Sequence, residues 1–76
     1  MIKVTRKQFE TFEFIKHHIK NKGYPPTRVE IALEFDIEPN AATDRVNQLN
    51  AKGLLKIAKG VSRGLVIQEK PVRVAS

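Results

Sequence analysis

Pro39 and Gly53 bracket the most constraining stretch of this chain. Proline suits the first position of a helix, where its missing N–H would have no intrahelical acceptor. Glycine just past the last turn tolerates the left-handed conformation that ends a helix. Between them, Ala42, Val46 and Leu49 share one side of a 3.6-residue period. A stripe this narrow does not stabilise a lone helix, so the segment must be laid against other elements. Asn40, Asp44, Asn47, Gln48 and Ala51 fall on the far side. Three of these are amides, which donate and accept hydrogen bonds at once. Reading base edges in a DNA groove needs that double capacity, whereas a merely solvated face more often carries Lys and Glu.

The chain's 76 residues make one small domain. A domain of this size buries roughly 60% of its unfolded surface, so every core contact counts. With no cysteine there is no disulfide and no thiolate metal site. The N-terminal region lacks the apolar stretch of a signal peptide, and no run approaches the ~20 apolar residues of a membrane span. These features fit an intracellular chain with no membrane partner.

The net charge is +6, but its placement is more informative. Residues 28–44 are acidic, with Glu30, Glu34, Asp36, Glu38 and Asp44 against Arg28. From Arg45 onward Lys52, Lys56, Lys59, Arg63, Lys70 and Arg73 face only Glu69. A basic half beside an amide-faced helix points to a polyanion; the bland alternative is charge kept for solubility.

Capping signals set the other elements. Thr5-Arg6-Lys7-Gln8 has the form of a capping box, with Val4 and Phe9 at the positions of a hydrophobic staple. Phe9, Phe12, Ile15 and Ile19 continue at helical spacing until Asn21-Lys22-Gly23, which predicts a first helix over about 6–21. His17 and His18 fall near its C-terminal end, where a cation suits the dipole. Tyr24-Pro25-Pro26 forces an extended connection. Thr27-Arg28-Val29-Glu30 is a second capping box, opening a short helix that buries Ile31, Ala32 and Phe35. Asp36-Ile37-Glu38 turns the chain into the helix at Pro39, and Leu54 can complete a Schellman ending at Gly53. The period then changes: Leu55 and Ile57 alternate around Lys56, and Leu65-Val66-Ile67 is apolar. Lys59 to Gly64 supplies two glycines for a hairpin with a basic tip. Residues 69–76 are Pro-containing and charged, and are expected to fray as a flexible tail or the start of a hinge.

The fold class this order predicts is mainly α with a small β-hairpin. It is a winged helix-turn-helix of three helices plus a two-stranded antiparallel wing, spanning residues 1–68.

Several of these short motifs together resemble a known family. Thr5-Arg6-Lys7-Gln8, Pro25-Pro26-Thr27-Arg28, Glu30-Ile31-Ala32, Pro39-Asn40-Ala41-Ala42, Lys52-Gly53 and Ser62-Arg63-Gly64 are similar, in order, to the N-terminal DNA-binding domain of the LexA repressors. The resemblance covers about residues 4–68. It implies a winged helix-turn-helix that represses DNA-damage (SOS) genes, in a bacterial or phage-encoded cytoplasmic setting, with the third helix in the major groove. Three departures stand out. Glu38 occupies the place where the family carries a serine before Pro-Asn-Ala-Ala, in a turn one residue shorter. Thr43-Asp44 replaces an expected pair of glutamates, so the base sequence read can differ. The family's Ser-Lys peptidase domain is missing, although Val72-Arg73-Val74-Ala75-Ser76 looks like the hinge that leads into one.

Candidate contacts follow from chemistry. Asn40 is the leading base reader, since Asn bonds adenine N6 and N7 bidentately, with Ala41, Thr43, Asp44 and Asn47 as further base-contact candidates along helix 39–52. Thr43 offers a methyl to thymine or a hydroxyl to phosphate. Asp44 either accepts from cytosine N4 or serves to repel wrong sequences. Lys59, Ser62 and Arg63 in the wing, 59–64, are phosphate candidates, with Lys52, and with Arg45 for a phosphate or a salt bridge. Thr27 and Arg28 are candidates through the backbone N–H groups of a helix start.

No Ser-His-Asp arrangement, phosphate loop or metal-ligand cluster is present, so no enzyme and no cofactor is expected. Glu30 and Glu34, one turn apart, read as a solvated helix face. Double-stranded DNA is the expected partner; structured RNA or a protein partner in a larger assembly is the alternative. The stripes are consumed within the domain, which predicts a monomer in solution that can pair on DNA.

Overall fold

Two threonines open the first two helices by the same device. In the computed structural model, which describes residues 1–75, Thr5 accepts the Gln8 N–H while the Gln8 side chain accepts the Thr5 N–H. Thr27 and Glu30 repeat that exchange. These boxes start α1 at Arg6–Lys22 and α2 at Arg28–Phe35. Gly23, at φ 83°, closes α1 through its N–H to the Ile19 carbonyl. Asp36 closes α2 at φ 53°, a left-handed conformation that Asp tolerates better than most residues.

Pro39 opens α3, Pro39–Ala51, where sequence placed it. Glu38 precedes it as N-cap by position alone, for its side chain caps nothing. The far end is a full Schellman motif: Leu54 N–H bonds the Leu49 carbonyl and Gly53 N–H that of Asn50, with Gly53 at φ 78°. Leu54 is then driven into the core.

β2, Leu55–Ile57, pairs antiparallel with β3, Leu65–Ile67, with Lys56 opposite Val66. Gly64 is required between them. A Cβ there would stand 2.7 Å from the Ala58 carbonyl oxygen, and the Ala58 N–H donates to the Gly64 carbonyl. Phe12, Ile15, Ile31, Val46, Leu49, Leu54 and Leu55 form a single core joining all three helices to the base of the hairpin. The winged helix-turn-helix is therefore the observed fold.

Four local features differ from the sequence expectation. First, regular structure continues beyond Glu69. Glu69 bonds Lys16 at 3.0 Å, and Ile2 N–H bonds the Pro71 carbonyl. Val72–Ala75 forms a strand, β4, parallel to β1, Ile2–Thr5. The register sets Ile2 beside Val72 and Val4 beside Val74, and Val4 plugs the core. Ser76 lies outside the described residues. Second, the buried side of α1 includes Gln8, Thr11 and His18 as well as apolar residues. Each has an internal partner: Gln8 Nε2 donates to Gln48 Oε1, Thr11 Oγ1 to the Lys7 carbonyl, and His18 Nδ1 meets the Tyr24 carbonyl at 2.8 Å. His18 is thus a core residue, not a solvated side chain at a helix end. Third, Phe35 is only half-buried, stacked edge-on against Phe14. Fourth, Val29 and Leu33 lie one turn apart on α2 and stay 56% and 77% exposed.

Candidate nucleic-acid interface

The two faces of α3 divide as the period predicts. Ala42, Val46 and Leu49 are fully buried, while Asn40, Asp44, Asn47, Gln48 and Ala51 are exposed. Burial of the first set locks the rotation of the helix, and so fixes which side chains the second set presents. Asn40, Asp44 and Asn47 make no side-chain hydrogen bond among the described residues. Their donors and acceptors therefore point to solvent without an internal competitor. Ala41 and Thr43 flank them and are half-buried. Gln48, although exposed, is spent on Gln8 of α1.

The basic candidates behave differently. Arg63 leaves the wing tip and turns inward. Its Nη1 donates to Glu30 Oε1 at 2.7 Å and to the Pro25 carbonyl at 2.9 Å, and its Nη2 to Glu30 Oε2 at 3.0 Å. Its guanidinium carbon stands 4.6 Å from the Tyr24 ring centroid, a stacking arrangement that suits a planar cation. The Arg63 fork, helped by the Thr27 N–H, lowers the Glu30 carboxyl from 4.5 to about 2. Glu30 is therefore an ion-pair and capping residue, not the solvated carboxylate of the sequence expectation.

Arg45 also points inward, donating to Thr11 Oγ1 at 3.2 Å with its guanidinium 5.1 Å from the Phe35 ring. Of its two expected roles the salt bridge is not seen among the described residues; the side chain links α3 to α1. Lys52 Nζ donates to the Lys3 carbonyl at 2.6 Å, tying the end of α3 to β1. The Thr27 N–H is taken by Glu30, so its backbone donor is already engaged. Arg28, Lys59 and Ser62 make no side-chain bond among the described residues, and Lys59 and Ser62 are exposed at the tip.

The structure thus brings together the amide face of α3 as a set and keeps two wing residues outward. It diverts Arg45, Lys52 and Arg63 into the scaffold. Sequence reasoning missed Thr11, Lys3 and Tyr24 as the partners of that diversion. The available signal for Arg63 was Glu30 itself, an acidic N3 residue within a basic chain.

Comparison with known proteins agrees with this architecture. A family model described as the LexA DNA binding domain matches residues 1–64. The chain is similar to the LexA repressor of Actinobacillus pleuropneumoniae serotype 5b, 48% identical over 65 residues that cover 84% of this chain and 31% of that protein. It is likewise similar to the LexA repressor of Histophilus somni strain 2336, 48% identical over 82% of the chain and 30% of that protein. The LexA repressor of Burkholderia mallei is 44% identical over 86% of the chain. The chain spans about a third of the length of these relatives. By the extent of the family match and the order of its helices, turn and wing, this chain belongs to the LexA DNA-binding domain family.

Proposed function

We propose that this chain binds duplex DNA sequence-specifically, as the operator-recognising part of a LexA-like transcriptional repressor of DNA-damage genes. In this reading α3 enters the major groove and the wing, 59–64, runs along the phosphate backbone. One observation carries it: Asn40, Asp44 and Asn47 are exposed, unengaged, and held on one face by a fully buried opposite stripe. An amide face preset in this way meets base edges without first breaking internal bonds. The relatives bearing the name LexA repressor support the same reading, as does the +6 charge. Lys59 and Ser62 serve the backbone, and Arg28 stands at the start of α2 as a further anchor.

The protein acts in the cytoplasm, with the nucleoid as its ligand, and needs no cofactor or catalytic step. It is a monomer in free solution and pairs on DNA at two half-sites, because a single module covers only ~600–1,000 Å². Selection from a random duplex pool, read by anisotropy, enriches a short base sequence. Equal binding to all duplexes defeats the reading. Sedimentation of the free protein at tens of micromolar gives a single monomeric species, and a stable dimer contradicts that part.

Exposed Val29 and Leu33 are the observation that favours a protein-docking alternative for α2. Two side chains fall short of the several hundred Å² of contiguous apolar surface such a role uses. A structured-RNA reading is weaker, since Tyr24 lies under Arg63 and Phe14 is stacked on His18 and Phe35, leaving them unavailable as open stacking platforms.

A further inference from the structure

The wing is built from two three-residue strands, and an isolated hairpin of two strands is marginal in water. Its base is secured by buried Leu55 and Leu65 and by the bond from Gln68 N–H to the Leu54 carbonyl. Its tip is exposed from Ala58 to Ser62. One residue from that tip reaches the body of the protein, and it does so with three hydrogen bonds and a ring contact. Arg63 grips Glu30 through both nitrogens, the Pro25 carbonyl through one, and the face of Tyr24. The far side of the grip is itself braced. Glu30 Oε1 also accepts the Thr27 N–H, His18 Nε2 lies 3.9 Å from the same oxygen, and His18 Nδ1 meets the Tyr24 carbonyl. A planar fork held by a carboxylate is more directional than a point charge.

We infer that Arg63 is a positioning residue: clamped to Glu30, it fixes the wing tip against the start of α2, so duplex binding depends on an acidic side chain that never touches DNA. The inference deepens the proposed duplex-binding function and rests on it. Removing a carboxylate from a DNA-binding domain ordinarily strengthens binding through charge; here removal of Glu30 weakens it, because the tip carrying Lys59 and Ser62 loses its fixed direction.

Two variants test this from opposite sides. Glu30→Gln keeps an oxygen to accept the Thr27 N–H but loses the charged partner. Arg63→Lys keeps the positive charge but loses the fork. Hydrogen exchange in the free protein reports the clamp directly, without DNA: the Ala58 and Gly64 N–H groups, bonded to Gly64 and Val61 carbonyls, exchange faster in both variants while core amides of α3 do not. Titration of the selected duplex reports the consequence. Both variants bind about two- to fivefold more weakly than the native chain, the size expected of a partly exposed ion pair. Unchanged exchange at Ala58 and Gly64, or binding by either variant at or above native strength, overturns the inference. If the native chain shows no preferred duplex, the duplex reading fails, and the exchange experiment still decides the clamp.

Discussion

The outward face of α3 and the wing carry the same expected task but use their polar groups in opposite ways. On α3 Asn40, Asp44 and Asn47 are left free and the buried stripe is apolar, so the expected recognition chemistry and the folding chemistry sit on different sides of one helix. In the wing, and at the base of α3, cations expected at a polyanion are part of the scaffold: Arg63 on Glu30, Arg45 on Thr11, Lys52 on Lys3. A long flexible cation near a carbonyl or carboxylate finds an internal partner, and so does the longer amide of Gln48, while the short side chains of Asn40 and Asn47 reach none among the described residues. Counting basic residues therefore overstates how many are left without an internal partner among the described residues.

The largest effect that tests this division is on stability. Leu49→Ala on the buried stripe costs about 2–5 kcal/mol, read as a shift in denaturant midpoint, whereas Asn47→Ala on the same helix stays within about 0.5 kcal/mol. Comparable losses from both erase the two-faced description. Next comes specificity. Asn40→Ala removes about 1–3 kcal/mol of discrimination at one base pair with an unchanged melting curve, and an unaltered preference in a mutated-duplex panel removes Asn40 as a reader. A smaller effect separates the free cation from the bound ones. Lys59→Ala weakens all duplexes alike and reduces the salt slope of log K by ~0.9, whereas Arg45→Gln leaves that slope unchanged. A slope that falls with Arg45 places it at a phosphate after all.

The smallest effect is an acid one, because the Glu30 side chain remains 37% exposed and screening weakens its pair. Its carboxyl titrates at about 2 when folded, against 4.5 ordinarily. A depressed value of this kind adds stability that is complete above about 4.5 and lost as the pH falls toward 2. Urea titrations across that window show a shallower decline for Glu30→Gln than for the native chain, and parallel declines contradict the pairing.

Local rules made most of this molecule legible. Both capping boxes, the proline start of α3 and the Schellman ending at Gly53 are contained within six or fewer consecutive residues, and each appears in the structure. The amide face was equally legible, because the period that buries Val46 also dictates where Asn40 and Asn47 point. What sequence reading missed depends on distant partners. Arg63 and Glu30 are far apart in the chain, and neither residue alone states that it is paired. The buried polar side of α1 escaped notice because Gln8, Thr11 and His18 count as polar until their partners are known. The strand at Ile2–Thr5 was too short for its alternation to register, and its mate lies at the opposite end of the described chain.

That mating has a kinetic side. Bringing Ile2 to Val72 closes a loop of roughly 70 residues, against about a dozen for Leu55 to Ile67. With closure entropy growing as the logarithm of loop length, the longer closure costs about 1.5 kcal/mol more. Its reward is small: a four-rung parallel ladder, a geometry slightly less stable per residue than the antiparallel one, with Lys3 beside Arg73 as like charges. A long closure for so small a return is expected to come late in folding, after the helices have docked. The same imbalance predicts that the Val72–Ala75 amides exchange ahead of the core amides of α3, and equal protection of the two sets contradicts it. Val72–Ala75 is in that sense a latch laid across helices whose core does not include it.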